Sequence, residues 1–96
     1  MFTPIKLDKV RNLRYGMKAI SLIEKSLNTS VSKIDFNELR MEDAATIIWA
    51  GLYHEDNDLT PDKVMDLVDE HSNIQTAIET MGEAFQSSFS GGSEKN

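Results

Sequence analysis

The stretch Ile47-Ile48-Trp49-Ala50-Gly51-Leu52-Tyr53, followed by His54-Glu55-Asp56-Asn57-Asp58-Leu59-Thr60-Pro61, decides the fold. Seven consecutive uncharged residues follow a segment whose acids, Glu42 and Asp43, fall in the first turn of a helix starting near Met41. Acids are favoured there by the positive end of the helix dipole. A helix over about 41–53 that is apolar around its whole circumference needs neighbours on every side. The reading is therefore a central helix in a small bundle. The polar run 54–58 is a loop. Thr60-Pro61 then signals a new helix, with a hydroxyl to accept an orphan N–H and a proline where no N–H is needed.

Working outward, Val64, Met65 and Val68, flanked by Leu67, make one face of the helix after Pro61. Asp62, Asp66, Asp69 and Glu70 make the other. Ser72 followed by Gln75 reads as a capping box for a last helix. Its stripe is Ile74, Ala77, Ile78, Met81, Phe85 and Phe89. Toward the N-terminus, Ala19, Ile20, Ile23 and Leu27 repeat at helical spacing, widened by Leu22, after an opening at Gly16. Asn28-Thr29-Ser30 ends that helix with turn-forming residues. Residues 31–37 connect, with a short turn after Asp35. Between Thr3 and Tyr15, Ile5 and Leu7 alternate with polar residues, as do Leu13 and Tyr15. This predicts a short β-hairpin turning at Asp8-Lys9, without the usual glycine. The expected fold is mainly α: a bundle of about four helices with a short N-terminal hairpin. Residues 1–89 form one domain, and residues 90–96, which lack apolar side chains, form a disordered tail.

The chain has 96 residues, no cysteine and a net charge of −6. One domain is the expectation at this length. Disulfides and thiolate metal sites are excluded. No apolar run approaches the roughly 18 residues needed to span a bilayer, and the first ten residues lack the apolar core of a signal peptide. The charge is lopsided: residues 1–40 carry eight basic and four acidic groups, whereas residues 41–96 carry two basic and twelve acidic ones. The molecule has two differently solvated faces, or a basic face for nucleic acid, or opposite ends by which neighbouring copies attract. The self-association reading selects Arg11, Arg14 and Lys18 against Asp62, Asp66 and Asp69.

Catalytic patterns are missing. There is no cysteine nucleophile, no Gly-x-Ser-x-Gly turn and no glycine-rich phosphate loop, and the acids of 55–70 read as a solvated face and its leading loop. Asp56, Asp58 and Thr60 have the spacing of the first calcium ligands of an EF-hand, but Pro61 replaces the turn glycine and Leu67 the bidentate glutamate. His54 and His71 lack ligand-pair spacing. No cofactor is expected. The helices on either side of residues 54–60 are joined by too long a turn for a helix-turn-helix, and phosphate would repel the acidic second helix. Apolar stripes remain. Trp49 and Tyr53 sit in a helix too apolar for a free surface, and Phe85 and Phe89 carry the last stripe toward the chain's end. Each is read either as core or as a partner-binding side chain.

Leu13-Arg14-Tyr15 leads into a helix with Ile20 and Leu22-Ile23-Glu24. Ile47-Ile48-Trp49-Ala50-Gly51-Leu52, His54-Glu55-Asp56 and Leu59-Thr60-Pro61-Asp62 with Val64, Leu67 and Val68 follow. Together these resemble the tail assembly chaperones of long-tailed bacteriophages and related particles, over about residues 4–85. Asp8-Lys9 departs from the family's hairpin glycine, and Asn28-Thr29 from its Leu-Gly after the first helix. The resemblance implies a non-enzymatic helper in the host cytoplasm. Such a helper binds the tape measure protein, keeps it soluble during tail-tube assembly, and is absent from the mature virion. It also implies homo-oligomers, the tail tube protein as a further partner, and a longer form made by frameshifting near the end of the short one. Neither nucleic acid nor membrane is an expected partner. The alternative is a small acidic phage regulator or inhibitor acting on a host or DNA-associated protein.

Overall fold

The computed structural model describes residues 3–90, with Phe89 and Ser90 described by backbone only. Strands β1 (Thr3–Lys6) and β2 (Val10–Leu13) are followed by helices α1 (Met17–Leu27), α2 (Met41–Leu52), α3 (Pro61–His71) and α4 (Ile74–Ser90). A 3-10 turn at Val31–Lys33 lies between α1 and α2. The protein is mainly α, a small bundle with an antiparallel N-terminal hairpin.

The hairpin pairs Ile5 with Arg11 and Pro4 with Asn12, leaving a three-residue loop at 7–9. An ion pair holds the loop in place of glycine. The Asp8 carboxylate accepts from Arg11 Nε at 2.8 Å and Nη2 at 3.0 Å, and from the Lys9 N–H at 3.0 Å. That fork holds the Asp8 carboxyl well below its ordinary range, at about 2. Each helix end has a local cause. Helix α1 stops because Asn28 adopts the left-handed conformation, φ 55°, which asparagine tolerates better than most residues. Helix α3 starts as its sequence foretold, with Pro61 in its first turn and Thr60 Oγ1 accepting from the Lys63 N–H at 3.1 Å.

The start of α4 corrects the expected capping box. Asn73 supplies the cap: its Oδ1 accepts from the Thr76 N–H at 2.9 Å, and Gln75 turns instead to Glu79. Asparagine and serine cap about equally well, so adjacent Ser72 and Asn73 offered two registers one residue apart. The predicted turn after Asp35 is present, closed by Glu38 N–H to Asp35 C=O at 3.0 Å. The 3-10 turn before it was not foreseen. It is fixed from α1, where Glu24 Oε2 accepts from the Val31 N–H at 2.9 Å. The end of α4 runs through Ser90, the first residue of the expected tail. Residues 91–96 lie outside the described residues.

Helix α2 is central as expected. Ile47 and Leu52 are wholly buried, and α1, α3, α4 and β2 all pack on it. Tyr15, just after β2, passes beneath α2. Its hydroxyl donates to the Ile47 carbonyl at 2.7 Å, and burial pushes the phenol's pKa upward. Gly51 permits this approach: a Cβ there would stand 2.6 Å from Tyr15 Cζ and 2.9 Å from Leu13 Cδ2. The Tyr15 ring then meets Phe85 of α4 edge-on at 5.1 Å, and Phe85 meets Phe36 at 5.0 Å. No helix among the described residues is long and apolar enough to cross a membrane.

Candidate functional site

Because α2, α3 and α4 converge without closing, an apolar groove lies between them. Its cavity measures about 250 Å³. Ala44, Ala45 and Ile48 of α2 form one wall, Val64, Met65 and Val68 of α3 another, and Ala77 and Ile78 of α4 the third. Met41 and Ile74 stand at the rim, 48% and 53% exposed, while Met65 and Ile78 are half-buried. Among the described residues, Asp69 is the one charged residue in the lining. Alanines on two walls keep the groove open, and two unbranched thioethers give it a lining that can change shape. Methionine is used in this way at adaptable binding surfaces.

The four aromatic side chains singled out in the sequence do not assemble here. Trp49 is half-buried on the other flank of α2, where its Nε1–H donates to the Leu59 carbonyl at 2.9 Å. Tyr53 packs edge-on against it, with ring centroids 5.6 Å apart, and is 40% exposed. Phe85 is not a surface residue. It is 5% exposed and clamped between Tyr15 and Phe36, which removes it from the partner-binding set. The α4 stripe bends into the core at Phe85 because Tyr15 reaches it from beneath α2. The Phe89 side chain lies outside the described residues.

The charged set divides as well. Arg11 is a correction: it is 6% exposed, bound to Asp8 and reaching Asp56 through Nη1 at 3.3 Å. A guanidinium so enclosed is not available to a neighbouring copy. Arg14 and Lys18 are exposed, and they frame a depression of about 370 Å³ with Met17, Leu22, Ala50 and Tyr53. Met17 is 90% exposed. Asp62, Asp66 and Asp69 are exposed on α3, as their spacing required.

A second cluster escaped the sequence reading, which took 54–58 as a plain polar loop. Those residues clasp the outer edge of β2. Glu55 accepts the Asn12 backbone N–H at 3.1 Å and the Asn12 Nδ2–H at 2.9 Å. His54 Nε2 lies 2.8 Å from the Asn12 carbonyl, and the Gly51 carbonyl accepts the Arg14 N–H at 2.9 Å. The Asn12 contacts hold the Glu55 carboxyl below its usual range. Asp56, first of the EF-hand-like positions, instead accepts from Arg11 and from the Asp58 N–H at 3.1 Å. Among the described residues no cluster of three or more histidine and carboxylate side chains is placed to hold a metal ion.

No protein-family model, no curated protein and no solved structure matches this chain.

Proposed function

We propose that this protein is a tail assembly chaperone that binds the tape measure protein by taking its amphipathic helices into the groove between α2, α3 and α4. The observation that carries the reading is the apolar groove itself. Its length along α2, from Met41 to Ile48, is about two helical turns, which suits two or three aliphatic side chains of a docked helix. A tape measure is a long, largely helical chain whose bare apolar stripes would aggregate. Many copies of a small acidic protein along it would cover those stripes and add repelling charge. The activity is non-enzymatic and belongs to the host cytoplasm before the tail is complete.

Co-expression with the long tape measure protein, followed by pull-down, tests the proposal. The wild-type chain should bring the long protein into the soluble fraction. Met41→Glu combined with Ile74→Glu, both at the exposed rim, should abolish the complex while leaving the far-ultraviolet circular dichroism unchanged. If the long protein is not captured, or is captured equally by the rim variant, the proposal fails. The exposed acids of α3 favour a second reading, a small acidic regulator of a basic host protein. In that case capture of a host protein would survive the rim variant and vanish on reversing the charges of Asp62 and Asp66.

A further inference from the structure

We infer that the depression framed by the end of β2, the start of α1 and the end of α2 binds a small amphipathic carboxylate, an aromatic or branched aliphatic acid. Its volume of about 370 Å³ lies within the range of pockets that hold small molecules, roughly 300–1,000 Å³. Each of the three elements brings a group that suits an anion. Arg14 follows β2 and is anchored by its own N–H on the Gly51 carbonyl at 2.9 Å. Lys18 stands in the first turn of α1. His54 follows α2, its ring held with Nε2 at 2.8 Å from the Asn12 carbonyl. Among the described residues no carboxylate lines the depression.

The start of α1 adds to this charge. Gly16 caps the helix without a side-chain hydrogen bond, and the first turn contains no acid. No side chain of that turn therefore offsets the positive end of the helix dipole. Arg14 Nε lies at the same end, 4.0 Å from where a Cβ on Gly16 would stand. The floor has the opposite character. It is made by Ala19, Leu22 and Ala50, with the Tyr53 ring beside them. Met17 lines it too, 90% exposed, and its unbranched thioether can fold over a bound apolar body. A purely ionic ligand would leave the floor wet, and a neutral apolar one would leave the guanidinium and ammonium without use. An extended peptide is a poorer fit, because the outward N–H and C=O of Asn12 on the adjoining edge are already engaged. The groove between α2, α3 and α4 shares no lining residue with this depression. The site therefore holds or fails independently of the tape measure reading.

Titration of the isotope-labelled full chain with phenylacetate to about 10 mM, followed by amide chemical shifts, tests the inference. A ligand of this size should bind with a Kd of about 1 mM. The shifts should centre on residues 16–19 and 53–54, and the melting temperature should rise with ligand concentration. Phenylacetamide keeps the ring without the charge, and acetate keeps the charge without the ring; each should bind at least about tenfold more weakly. Arg14→Gln with Lys18→Gln, both at exposed positions, should weaken phenylacetate by a similar factor. Met41→Glu with Ile74→Glu, at the groove, should bind it as the wild type does. Absence of shifts at those residues, equal binding of the amide or of acetate, or undiminished binding by the folded Arg14→Gln, Lys18→Gln chain would each overturn the assignment. The comparison of the three ligands uses the wild-type chain and decides the matter even if that variant fails to fold.

Discussion

Replacing Gly51 by alanine places one methyl group where the structure has no room for it. In the interior of a helix, alanine is normally better than glycine by about 1 kcal/mol. Here the added carbon would stand 2.6 Å from Tyr15 Cζ, 2.8 Å from its hydroxyl and 2.9 Å from Leu13 Cδ2. The leucine methyl can yield; the tyrosine ring cannot readily do so. It is held by the Ile47 carbonyl on one side and by Phe85 on the other. Overpacking of this kind costs roughly 1–3 kcal/mol. Displacing the phenol from a buried carbonyl costs roughly another 1–3 kcal/mol. Set against the helix gain, the net loss is about 3 kcal/mol, and the melting temperature should fall by roughly 10–20 °C in a domain of this size. Urea titration followed by circular dichroism measures the loss. Gly82→Ala is the internal contrast, since nothing lies within 4 Å of its added carbon; it should stabilise by up to about 1 kcal/mol. The loss at Gly51 should also shrink sharply in a Tyr15→Leu background, because the two residues share one space. A Gly51→Ala protein as stable as the wild type, with Gly82→Ala behaving as expected, would refute the claim that close approach of Tyr15 requires this glycine.

Trp49→Ala removes a half-buried indole and its bond to the Leu59 carbonyl, and should cost roughly 2–4 kcal/mol by denaturant titration. Asn73→Ala should cost about 1 kcal/mol by the same titration, whereas Ser72→Ala should be close to neutral; the reverse order would return the cap to Ser72. Acid should loosen the hairpin. The carboxyls of Asp8 and Glu55 are both depressed in the folded chain, so their stabilisation is complete above their unfolded values near pH 4. It should fade as pH drops toward about 2, through the folded value of Asp8. Protection factors of the β2 amides, corrected for the intrinsic exchange rate at each pH, should fall down that range in the wild type, and less so in a Glu55→Gln chain.

The helices were legible because their signals are local. Thr60-Pro61 set the start of α3, Asn28 the end of α1, and the uninterrupted apolar run 47–53 named the central helix. What escaped was tertiary. Phe85 lies on the same stripe as its neighbours in α4, and only the passage of Tyr15 beneath Gly51 decides that its ring is enclosed. Arg11 reads as one cation among several until Asp8 and Asp56 are brought to it from the hairpin loop and from a loop 45 residues on. The groove was half visible. Met65 and Ile78 lay on apolar faces of their helices and Ala44 and Ala45 within the expected central helix, but whether three such helices meet or stand apart depends on interhelical spacing, which no residue pattern states.

The clasp on β2 bears on how this molecule stays out of trouble in a crowded cell. A two-stranded sheet exposes two edges, and an exposed edge invites another strand to add to it, which is a common first step toward fibres. On β2 the outward N–H and C=O of Asn12 are already engaged by Glu55 and His54. On β1 the directly opposite residue is Pro4, which has no N–H to offer an incoming strand, and the next outward position is the exposed charge of Lys6. Both margins of the sheet are therefore poor templates. Any neighbour is then left to meet the helix faces, where side chains rather than backbone groups decide the fit.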